Sequence, residues 1–325
     1  MASPRGAKYL HPMESARVLL CWVVGAAALA MGCGPRTAAV PESSAAPPAS
    51  GNEDLLADPP DWWKEPKPCP EGAKLEGAAP PEGSEISCTN AEGAFHGART
   101  LWHENGKKSE EAFYRNGSFD GAYTAWYENG NLKEECRYVS GLREGPRVLY
   151  YDNGQEKLSG DFRKGKESGP FTAFTPDGVK EYVAEFQLGK QHGMTVQYYP
   201  DGSRKVETEY RGGKKHGRHV EYFAGGRKKA LEGLWAEDQR SGLWTKYYEN
   251  GKKQSDQEYS EDKPNGVYQE WYENGIKKVE GAYKQGKQNG TWSYYDEEEA
   301  QLTKTEKYAN GVLTSRKLEK PKPKK

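Results

Sequence analysis

A glycine recurs along this chain at Gly97, Gly121, Gly145, Gly169, Gly193, Gly217, Gly242, Gly266 and Gly290, every 24 residues apart from one step of 25 after Gly217. A fixed period of this length marks a stacked repeat, a unit that packs on copies of itself. Nine residues into each unit but the last comes a second glycine, as at Gly106, Gly130 and Gly251, preceded by Asn or Asp in every copy except Gly225-Gly226. Asn-Gly and Asp-Gly tolerate positive φ at both centres of a type I′ turn, which predicts a two-residue hairpin loop here. A second turn is predicted at Asn116-Gly117, Ser140-Gly141, Lys164-Gly165, Leu188-Gly189, Gly212-Gly213 and Gln285-Gly286. Two turns per unit leave two strands of about ten residues each. The expected fold class is all-β: an elongated antiparallel β-meander of stacked 24-residue hairpins in a single-layer twisted sheet.

Residues paired across a hairpin share a face. With the opening glycine as position zero, both turns put positions two, four, six, thirteen, fifteen and seventeen together. This face is aromatic, with Tyr127, Tyr151, Tyr199, Phe223, Tyr248 and Tyr272 at position six and Tyr114, Tyr138, Phe162, Phe186, Tyr210, Tyr259 and Tyr283 at seventeen. Leu234 is the exception at seventeen, and position fifteen between the rings is often small, as at Ala112, Gly160, Ala184 and Gly281. The opposite face carries one aromatic column at position five, Trp102 to Tyr295, among Thr, Lys and Glu, and is expected to be mostly solvated.

Composition fits a thin sheet. The mean hydropathy is -1.01, yet the chain holds 21 Tyr and 9 Trp, too aromatic for disorder and too poor in aliphatics for a thick core. A net charge of -1 removes the electrostatic case for nucleic acid.

The ends read differently from the repeats. Residues 1–32 are read as a signal peptide: Arg5, Lys8 and Arg17 lead into the apolar run "VLLCWVVGAAALAMG", too short to span a bilayer. "LAMGCG" around Cys33 resembles a lipoprotein box, with Ala30 where leucine is usual and Leu29 one place further out, so Cys33 is expected to be lipidated. Residues 33–66, rich in Pro, Ala and Ser, read as a disordered tether. In an exported chain Cys69 and Cys88, around "PPEG", read as a disulfide-closed capping hairpin over residues 67–92. Cys136, at a small position fifteen, is read as a buried free thiol, and residues 312–325 as a basic flexible tail.

The stretch "GLWTKYYENG" from Gly242 to Gly251, followed by a tyrosine and then "GKQNG" from Gly286 to Gly290, resembles the MORN repeat, and in particular the bacterial variant filed under the YwqK-family antitoxin label. The resemblance covers roughly residues 93–311 as nine repeats. It implies a binding or scaffolding surface for proteins or phospholipids. The antitoxin label fits poorly with an exported, lipid-anchored chain.

Catalysis and metal binding find no support in the sequence. His96, His192 and His216 each precede an opening glycine, and equivalent atoms of adjacent units lie about 10 Å apart, too far to share a metal ion. The acidic run Asp296 to Glu299 lacks the alternating ligands of a calcium loop. No phosphate loop or nucleophile elbow is present, so neither catalytic residues nor a cofactor is expected. Position two varies most between copies and ends in Trp244, Tyr268 and Trp292, which with Tyr248 and Tyr272 form a candidate binding patch. The expected function is a lipid-anchored, non-enzymatic scaffold of the envelope of a bacterium with an outer membrane, binding an envelope protein; the alternatives are a glycan or peptidoglycan binder, a phospholipid binder and an antitoxin-like component.

Overall fold

The structure, a computed structural model, describes residues 61–319. The expected signal peptide, Cys33, the linker up to residue 60 and residues 320–325 of the tail lie outside the described residues. Among the described residues 22 strands form one open antiparallel sheet. Each strand pairs with its neighbours in the chain, Leu142–Arg143 and Gly145–Tyr150 being two halves of one strand interrupted at Glu144. The repeat strands run eight or nine residues, shorter than expected, because one of the two loops is longer.

The hairpin β5 (Ser118–Trp126) to β6 (Leu132–Val139) shows the register. Gly121 faces Tyr138, Tyr123 faces Cys136 and Ala125 faces Glu134. Tyr123 also faces Ala112, and Ala125 faces Glu110, on β4 (Lys108–Arg115) of the preceding hairpin. Positions two, four, thirteen, fifteen and seventeen therefore share one face, as the turns predict.

One of the two turns departs from the expected two-residue type I′ loop. At the Asn-Gly turn the glycine has positive φ (Gly130, 95°) and the asparagine does not. Gly130 N–H donates to Tyr127 O at 2.8 Å and Tyr127 N–H to Asn131 O at 2.9 Å, closing a three-residue loop. This is a type I turn ended by a glycine bulge. The other turn is the two-residue type I′: both central residues have positive φ, as in Asn116-Gly117 (49° and 80°), and even in Glu261-Asp262 (50° and 64°), which no Asn or Gly announces. Position six falls beyond a register shift and into the loop.

The one 25-residue unit puts its extra residue in a loop, where Phe223 N–H reaches Lys228 O. Gly217 then faces Trp235, so Trp235 completes the aromatic column and Leu234 turns outward, 50% exposed.

Both ends differ from expectation. Residues read as tether form a 3-10 turn, Trp62–Lys64, whose Trp62 donates to Thr100 Oγ1 at 2.8 Å and whose Trp63 packs edge-on to Trp102, 5.1 Å between ring centres. The first ring of the position-five column, which would otherwise meet water, is covered instead. Cys69 is bonded to Cys88, with Cα atoms 5.5 Å apart, beside the hairpin of β1 (Lys74–Ala78) and β2 (Glu85–Thr89). Cys136 is free and buried. At the other end residues 312–318, read as flexible tail, form β22 (Val312–Leu318) against β21 (Leu302–Ala309), half of a further hairpin.

Candidate functional site

The register lines up one side chain per strand across the aromatic face. In the late units the row reads Thr208, His219, Gly233, Trp244, Gln257, Tyr268, Gly281, Trp292 and Glu306. Large and small alternate because position two of each unit packs over position fifteen of the unit before it. A β-carbon on Gly160, Gly233 or Gly281 would stand 2.4, 2.3 and 2.3 Å from the rings of Phe171, Trp244 and Trp292 respectively. Each of these rings thus sits over a glycine on the neighbouring strand.

This corrects the expected binding patch. Trp244 is 6% and Trp292 is 3% exposed, each sunk into a glycine notch. Tyr268 is half-buried and stacks on Trp292, 5.4 Å between centres. Tyr248 and Tyr272 belong to the three-residue loops: their hydroxyls donate to the carbonyls of Trp271 and Tyr295 in the next hairpin, at 2.7 and 3.0 Å. Tyr127, Tyr151 and Tyr199 make the same bond, and the loop asparagines add another, as Asn250 to Glu273 O at 2.9 Å. Loop side chains thus sew one hairpin to the next.

The opposite face is less solvated than expected. Glu111, Glu207 and Asp256 at position fourteen are buried among partners. Asp256 accepts from Thr245 Oγ1 at 2.6 Å and from Lys253 Nζ at 2.7 Å, and Glu207 from Tyr222 OH at 3.0 Å. Within the position-five column the tyrosines Tyr150, Tyr222, Tyr247 and Tyr295 donate their hydroxyls to acids of the preceding hairpin, Glu135, Glu207, Glu232 and Glu280.

A trough of about 560 Å³ opens on the aromatic face between the units that begin at Gly217 and Gly266. His219, Trp244 and Gln257 form its floor; Trp235, Arg240 and Tyr259 form one wall, and Glu221, Leu231 and Lys246 the other. Its rings are covered: Lys215 lies 4.6 Å over Trp235 and Arg240 4.0 Å over Tyr259. His219 Nδ1 meets Thr208 Oγ1 at 2.8 Å and Nε2 meets Glu221 Oε1 at 3.2 Å. Burial pushes the imidazole pKa down against the pull of Glu221, so the neutral ring, accepting from Thr208 and donating to Glu221, satisfies both bonds. Hydroxyl, imidazole and carboxylate in a chain have the makings of a hydrolytic triad. Thr208 is buried, however, and its hydroxyl holds the ring instead of facing a substrate. His219 stands at the variable position two in the sequence, whereas Trp235 and Arg240 carried no signal, the extra residue of their unit moving Trp235 one place beyond position seventeen.

A larger hollow of about 1070 Å³ lies at the far end, lined by Asp296 to Glu299. There Asp296 accepts from the backbone N–H groups of Glu299 and Gln301, at 2.7 and 2.9 Å, and so closes a loop that lacks a glycine turn. Glu306 ends the aromatic row. Burial works to raise its pKa, but hydrogen bonds from Tyr294, Lys304, Tyr308 and Arg316 prevail and bring it down to about 2.

Four hairpins, residues 95–116, 119–140, 240–261 and 264–285, match the family described as "MORN repeat variant". These segments are MORN-type repeats. The four matched MORN-type hairpins are those with Glu-Asn-Gly in the three-residue loop, and the other five vary that triplet while keeping the hairpin. No curated protein matches the chain. Among solved structures, a chain of the TcdB2-TccC3-Cdc42 assembly is 13% identical with a TM-score of 0.19, the match covering 66% of this chain and 14% of that one. A chain of the TcdB2-TccC3 assembly is 9% identical with a TM-score of 0.15, covering 68% of this chain and 14% of that one.

Proposed function

We propose that the chain is a non-enzymatic repeat scaffold of the bacterial cell envelope, held to a membrane by lipid at Cys33 and binding a protein partner on its aromatic face. The trough beside His219 carries the binding part: there the row of side chains leaves room, and its walls mix ring, cation and carboxylate as protein interfaces do. A protein is favoured over a glycan because Lys215 and Arg240 occupy ring faces on which a sugar would stack. The anchor rests on "LAMGCG" at the end of the apolar run.

Crosslinking from envelope extract with the full chain as bait tests the first part. One dominant protein, lost when Arg240→Glu and Lys246→Glu are combined, supports the reading; capture indifferent to these changes sinks it. Cys33→Ser tests the anchor, and a variant that stays in the membrane fraction removes it.

A further inference from the structure

The strand ends beside the two-residue turns hold an electrostatic anomaly. Two cations stand directly opposite each other at Arg163 and Lys166, at Arg211 and Lys214, and at Lys284 and Lys287. Like charges so placed destabilise a hairpin. The fold does not require them, because the same places hold Val139 and Leu142, Ala236 and Gln239, and Ala309 and Val312 in hairpins of the same geometry.

The first two pairs flank a third turn where Lys190 faces Gln187. Residues 163–166, 187–190 and 211–214 together carry six Lys or Arg side chains and no acid. Arg163, Lys166, Lys190 and Arg211 are exposed and without a carboxylate partner among the described residues. At the next two turns the charge reverses, with Glu237-Asp238 and Glu261-Asp262 at the tips, so the basic run is bounded. At its centre Leu188 is 68% exposed with φ at 52°. A leucine gains nothing locally in a left-handed, solvent-facing position that Asn, Ser or Gly fills in sibling turns.

We propose that the edge from Arg163 to Lys214 docks an extended acidic segment of a partner protein with an apolar residue at its centre. Successive hairpins are two strand spacings apart, about 10 Å, and a chain extended as polyproline II advances about 3.1 Å per residue and brings every third side chain back to the same face. Carboxylates at every third residue therefore reach successive turns. Leu188 supplies the apolar contact that a sugar polymer would leave unused. The three turns carry no ring on which a base could stack, and an anionic bilayer along this edge would also press against the acidic tips that follow. This strip is separate from the trough, and neither depends on the other.

Fluorescence anisotropy with the full chain tests the proposal, using a labelled synthetic peptide with aspartate at every third position and a central leucine. A peptide of the same composition with its aspartates in one block is the control. The spaced peptide is expected to bind about tenfold more tightly than the control, and to lose about tenfold on Lys166→Glu with Arg211→Glu. Leu188→Asn is expected to weaken binding severalfold while raising the melting temperature, since asparagine suits the turn; a purely structural leucine would not give opposite signs. Equal binding of the blocked peptide overturns the proposal, as does affinity unchanged in both variants. So does binding to phosphatidylglycerol vesicles or dextran sulfate with no binding of the spaced peptide.

Discussion

The indole of Trp244 lies over Gly233 so closely that a β-carbon on the glycine would stand 2.3 Å from the ring. Gly233→Ala is therefore expected to destabilise the chain by about 1–3 kcal/mol, the range for forced overpacking. Combined with Trp244→Thr it should cost less than the two single losses summed, because the smaller side chain removes the clash and Ala184 and Thr195 already form that pair elsewhere on the face. A double-mutant cycle on urea midpoints checks the coupling, and additive effects would refute the packing account.

Tyr248 ties its hairpin to the next through a 2.7 Å bond to Trp271 O. Tyr248→Phe should cost about 1 kcal/mol, the net worth of one such bond. Hydrogen exchange should quicken around residues 248 and 271 and stay unchanged near Tyr127; uniform quickening would count against a local seam.

Trp235 fills the aromatic column and Leu234 does not. Leu234→Lys is expected to change stability by less than about 0.5 kcal/mol, as surface substitutions do. Trp235→Ala should cost about 2 kcal/mol, the value of a large side chain's burial. Thermal melts of the two variants check the assignment, and the reverse order would restore Leu234 to the column.

Acid should act on this chain in two windows. Burial lowers the His219 pKa, with Glu221 opposing and Lys215 assisting, so below about pH 6.5 the unfolded chain takes up a proton that the folded chain resists. That contribution is full above about pH 6.5 and is lost as pH falls toward the lowered value. Glu306 titrates near 2 when folded, so its stabilisation is present above about pH 4.3 and is lost from there downward. Melting temperatures measured from about pH 8 to about pH 2 should fall in both windows, and His219→Gln should flatten the first alone. A wild-type curve level between about pH 6.5 and pH 5 would contradict the buried imidazole.

The 24-residue glycine period determined the meander, and the turn residues determined which positions share a face. Both are local matters: a hairpin's register follows from its loop, and alternation follows from the pleat. The matched hairpins were legible from "YENG" and its kin for the same reason. What lies under each ring was decided by tertiary structure. Trp244 and Trp292 look like a contact patch in the sequence because their glycines belong to the preceding unit; only the stacked sheet brings the two together. The three-residue loop at Asn-Gly is closed by its own backbone bonds, but only the stacked sheet gives its asparagine and tyrosine the next hairpin's carbonyls to bond. The turn at Glu261-Asp262 is held open to positive φ by strands already paired on both sides. Local chemistry wrote the order of the strands, and contact between neighbouring copies settled which side chains are left for a partner.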